Sequence, residues 1–138
     1  MTQIQLTDQQ LNRALAELMG YTVKELPIGS NGRQLYALVT PIGRQRMAAL
    51  TIDNAFFDAP DYCTDPAASL EVQAKAIEVD SVGYVRNLEI AKWKKIMAPL
   101  ARKEVSVLLN ASPRERAEAA YITLSISKED LNGTVGYR

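Results

Sequence analysis

The sequence predicts a small α/β domain of the α+β type, an antiparallel sheet with helices on both faces, or α-β-α sandwich. Three observations predict it. A capped amphipathic helix stops at one glycine and passes directly into β-branched residues, Thr7 to Val23. Two more apolar, strand-like segments follow, set apart by turns rich in glycine and proline. Two later segments open with Asp-Pro and Ser-Pro, a helix cap followed by proline in the first turn. At 138 residues the chain is expected to form a single domain over 1–131, with a mobile tail over 132–138.

The elements are justified in order. Thr7 is a good N-cap and Gln10 stands three residues on, completing a capping box. Leu11, Ala14, Leu15 and Leu18 fall on one helical face. Gly20 supplies the left-handed position that ends the helix, and Tyr21, Thr22 and Val23 favour a strand. After the turn residues Pro27, Gly29, Asn31 and Gly32, Gln34–Thr40 predicts a second, antiparallel strand. Arg46–Ile52 predicts a third. Asn54–Thr64 is expected to be a loop that Phe56, Phe57 and Tyr62 pin to the body. Asp65-Pro66 opens a helix expected to run to about Val79, with Leu70, Ala74 and Ile77 on one face. Val82, Val85, Trp93, Ile96, Met97 and Leu100 fit a second helix from about Ser81 to Met97, interrupted only by Glu89. A strand with Tyr84, Arg86, Leu88 and Ile90 on one face is the alternative. Glu104–Asn110, a near-continuous apolar run, predicts a well-covered central strand. Ser112-Pro113-Arg114-Glu115 is a second capping box, opening a helix to about Ser125.

Composition limits the chemistry. There is no histidine, so no imidazole base, Ser-His-Asp triad, Cys-His pair or imidazole metal ligand. The single cysteine, Cys63, can form neither an intramolecular disulfide nor a cysteine-rich zinc site. It is expected to be a small, partly buried structural residue. No cofactor is expected. Asp58, Asp61 and Asp65 could surround a hard cation, but Asp65 is better explained as a helix cap. No apolar stretch is long enough for a membrane span, and, no export signal being read in MTQIQLTDQQ, a cytoplasmic location is the default expectation.

The formal net charge of zero argues against a general nucleic-acid binder. Its distribution is uneven. Asp53, Asp58, Asp61, Asp65, Glu71, Glu78 and Asp80 form an acidic block relieved only by Lys75. Arg86, Lys92, Lys94, Lys95, Arg102 and Lys103 form a basic block relieved only by Glu89. Such blocks can pair within the fold or between subunits.

Candidate anion ligands lie in two places. Arg44 and Arg46, two residues apart, share a face if they lie on a strand and could grip phosphate through bidentate hydrogen bonds. A solvated sheet edge is the simpler reading. Trp93 is flanked by Lys92, Lys94 and Lys95, a set that could stack a base and hold its phosphates. More often such a tryptophan docks a helix on the core. Gly29–Arg33 lacks the lysine and hydroxyl of a phosphate loop and reads as a hairpin turn.

The segments Leu11–Val23, Pro60–Val72 and Glu104–Leu124 resemble, in order, those of the phage ABA-sandwich domain family, small proteins of phages and prophages. The resemblance covers a little under half of the chain. Tyr21 stands where tryptophan is common in that family. None of the shared segments is catalytic, so the resemblance implies an architecture and an origin. With it comes the expectation of a non-enzymatic protein, a homo-oligomer that sequesters a small anionic ligand, plausibly a nucleotide signal of host immunity, as an anti-defence device. The alternatives are a protein-interaction module that engages a host or phage protein through the basic segment 86–103, and a metal-dependent phosphate-ester hydrolase using Asp61.

Overall fold

The computed structural model describes residues 5–97 and 99–133, with side chains as far as 127. The order is α1 (Asp8–Leu18), β1 (Thr22–Glu25), β2 (Tyr36–Val39), β3 (Gln45–Ala49), α2 (Ile52–Ala55), a 3-10 turn (Phe56–Asp58), α3 (Pro66–Trp93), α4 (Arg102–Leu109) and α5 (Pro113–Gly133). This is an α+β domain with a small antiparallel sheet, as the patterning predicts.

α1 is capped as expected: the Thr7 hydroxyl accepts from the Gln10 amide, and the Gln10 side chain accepts from the Thr7 amide. Gly20 adopts φ +103°, and a Cβ there would come within 3.3 Å of Pro41. The glycine therefore both ends the helix and lets the β2–β3 turn sit against it. The strands pair in sequence order, β1-β2-β3, both pairs antiparallel, with an irregular register between Ala37 and Val39. Ala37 and Leu38 are buried, whereas β3 is almost wholly exposed.

The main core lies among the helices. Leu11, Leu15 and Ala16 of α1 meet Val72, Ala76, Tyr84 and Leu88 of α3 and Ala117, Ala120 and Leu124 of α5. The many alanines let the helices approach closely. α3 is two helices joined at Asp80, whose φ −158° and ψ 88° are not helical. The Asp80 carboxylate accepts from the Gly83 amide, so it caps the second half. The break matches the boundary expected between Val79 and Ser81. It turns the chain back far enough for the Tyr84 hydroxyl to donate to the Gln73 side chain at 2.8 Å.

Several expectations need correction. Asn54–Thr64 is not simply loop, since it begins in α2 and the 3-10 turn. Tyr62 is buried and Phe56 packs against the core, but Phe57 is exposed. Leu70, Ala74 and Ile77 do share a face, but it points outward, because close packing selects the smaller Ala68, Ser69, Val72 and Ala76. The second half of α3 ends at Trp93, short of Met97. Glu104–Asn110 is not a central strand: α4 is a helix. It has no strand beside it to satisfy its backbone groups, and a helix satisfies them internally. α5 runs past Ser125 to Gly133, so the expected tail begins inside it, and residues 134–138 lie outside those described. No helix among the described residues is long and apolar enough to cross a membrane.

Candidate functional site

Arg114, in the first turn of α5, is a structural hub. It donates to Asp8 and Glu118, each at 2.7 Å, and to the Leu6 carbonyl at 2.7 Å. Burial alone would lower its pKa, but the bonds to Glu118 and Asp8 outweigh that and raise it. Cys63 is buried beside this hub, its thiol directed at the Asp8 carbonyl. Burial, with Asp8 nearby, pushes that thiol up to about 12, which disfavours the thiolate. Asp61 accepts from Thr64 and Asn12, and the Thr64 bond leads in lowering its pKa. Asp65 accepts from the Ala67 amide as a helix cap. Among the described residues no three His, Cys, Asp or Glu side chains converge as a metal site would require.

Two surface features flank the α5 N-terminus. The first is a cleft of about 680 Å³ between the start of α1 and residues 53–61. Asp8, Asp53 and Asp61 line it, with Arg13 the only cation. Arg13 pairs with Asp53 and lies 4.8 Å from the Phe56 ring centroid. Phe57, 64% exposed, supplies an uncovered aromatic face at the rim.

The second is a shoulder made by the 94–101 connection and α4. Glu89, 3% exposed, pins the connection by accepting from the Met97 amide at 2.7 Å. This is why a charge interrupts the apolar stripe of the sequence. Leu108 alone of α4 is buried; Val105 and Leu109, one turn apart, face outward, with Leu109 73% exposed. Exposed Ile96 stands in the connection. Among the described residues Lys94, Lys95, Arg102 and Lys103 join no ion pair. Arg102 and Lys103 occupy the first turn of α4, where the helix dipole disfavours cations.

The sequence-predicted anion ligands are distributed between these regions. Arg44 lies in the exposed β2–β3 turn and Arg46 on exposed β3. Trp93 packs on the helical core, as its simpler reading anticipates. Lys92 pairs with Glu115 at 3.3 Å, and the same Glu115 oxygen accepts from the Ser112 amide. Lys94, left-handed at φ 61°, donates to the Ala91 carbonyl. Lys95 is exposed. The two arginines belong to the β2–β3 turn and β3, and the Trp93 group to the end of α3. Gly29–Arg33 is a turn, with the Asn31 side chain accepting from the Arg33 amide. The α4 stripe was hidden from sequence reading by its resemblance to a strand. An aromatic residue such as Phe57 is ordinarily an anchor, and nothing in its local sequence marks it as exposed.

No family model, no curated protein and no solved structure matches this chain.

Proposed function

We propose that this chain is a non-enzymatic interaction protein, phage-type in keeping with the resemblance of its segments, that engages an acidic protein surface through the α4 shoulder. The observation carrying this reading is the pairing of an outward apolar stripe, Val105 and Leu109, with four cations that no carboxylate neutralises among the described residues. An apolar centre rimmed by charge is the anatomy of a docking surface. Covering Leu109 alone is worth about 1.5–3 kcal/mol. Capture of a small anionic ligand, such as a nucleotide, draws less support. Trp93 and Lys92 already serve the fold, and Arg44 and Arg46 lie on a different element.

A photo-crosslinking amino acid placed at Leu109 tests the reading in cells producing the protein. A discrete covalent adduct is expected from position 109 and none from Leu70, an exposed apolar control on α3. Equal labelling from both positions, or none from 109, would contradict it.

A further inference from the structure

We infer that the partner of the α4 shoulder is a second copy of this chain, which presents its acidic α1 cleft to it. The inference rests on the docking role proposed above and names the occupant.

The acidic and basic blocks do not neutralise each other within one chain. Among the described residues every ion pair of the acidic block goes to Arg13 or to its own Lys75. The one ion pair of the basic block joins Lys92 to Glu115. No pair crosses from block to block, although their opposite charges contribute to an overall charge of zero. At the cleft Asp8 is paired with Arg114 and Asp53 with Arg13, but Asp61 in its lining and the neighbouring Asp58 join no ion pair among the described residues. Lys94, Lys95, Arg102 and Lys103 of the shoulder join none either. The two surfaces are left with opposite unpaired charge.

The two surfaces are also neighbours. Arg114 reaches Asp8 at the cleft, and the adjacent Glu115 reaches Lys92 at the base of the shoulder. An acidic patch beside a basic patch on one end of a molecule is self-complementary under a twofold axis. The cleft of each copy then meets the shoulder of the other, an isologous contact and the commonest form of homodimer. Each surface also carries exposed apolar side chains, Phe57 at the cleft rim and Val105 and Leu109 on the shoulder.

Two charge-reversed variants of the full chain test this. One carries Lys95→Glu, Arg102→Glu and Lys103→Glu; the other carries Asp53→Lys and Asp58→Lys. Glutamates in the first turn of α4 suit the helix dipole, so the first variant keeps its fold. The second alters exposed carboxylates, of which Asp53 gives up its pair with Arg13. Circular dichroism melts of both establish that they are folded. Sedimentation velocity of the wild type is expected to show a dimer at low ionic strength that weakens about tenfold or more in 0.5 M salt. Each variant alone is expected to be monomeric, and an equimolar mixture to form a 1:1 heterodimer. A wild type monomeric at every concentration overturns the inference, as does a mixture that fails to associate. If the Leu109 crosslink still appears, with an adduct mass that is not twice the chain, the docking reading survives and only the choice of partner falls. Without that crosslink, the docking reading falls first.

Discussion

In the layer formed by α1, α3 and α5, Leu11, Leu15, Val72, Ala76, Ala117 and Ala120 are fully buried. In α4, only Leu108 is buried while its neighbour Leu109 stands in solvent. The polar groups differ in the same way. Arg114, Glu118, Asp8, Asn87 and Thr123 all bond within the helical layer. Lys94, Lys95, Arg102 and Lys103 of the shoulder join no ion pair among the described residues. The first region completes its interactions within one chain, whereas the second leaves apolar side chains exposed and cations without an ion pair among the described residues. On the proposed reading, stability and association reside in different residues and can be altered separately.

The contrast is broken most severely in the core. Leu15→Ala leaves a cavity between α1 and its neighbours and should cost about 2–5 kcal/mol by denaturant unfolding. Arg114→Met removes the hydrogen bonds to Asp8, Glu118, the Leu6 carbonyl and the Cys63 sulfur and leaves Asp8 and Glu118 without their cation; about 1–3 kcal/mol is expected in the same assay. Thr7→Ala removes one half of the α1 capping box and should cost about 1 kcal/mol.

Acid unfolding gives a smaller effect with a definite sign. Asp61 is held below its ordinary value of 3.8, led by the Thr64 hydrogen bond. Its contribution is present above that value and is lost as pH falls through the lowered folded-state pKa. Asp61→Asn should flatten the acid limb of the stability profile, and an unchanged limb would assign acid sensitivity elsewhere. Smallest of all, Leu109→Ala should alter monomer stability by no more than about 0.5 kcal/mol while weakening association. A large loss of stability there would erase the distinction between the two regions.

The parts legible in the sequence are those with local causes. The Thr7 and Ser112 capping boxes, the Asp65-Pro66 start and the Gly20 stop depend on neighbours within a few residues, and all are in place. The boundary near Asp80 agrees with the expected one, although its cause, the Asp80 carboxylate accepting from the Gly83 amide, is not what the apolar pattern signals. Which face of a helix is buried depends on its neighbours, so Leu70 and Ile77 misled where the alanine stripe packs more closely. Glu104–Asn110 fits either periodicity over its short length, and only the missing partner strand decides for helix. The charge blocks were visible in the sequence. That they leave each other unpaired is a property of the fold.

Amide hydrogen exchange of the wild-type chain tests the central contrast most directly. In dilute protein at high salt, slow exchange is expected in α1, α3 and α5 and fast exchange in α4. Concentrated protein at low ionic strength should slow α4 and the rim of the α1 cleft together. An α4 as protected as α3 in the dilute monomer, or unchanged on concentration, would contradict the assignment of the shoulder to a partner.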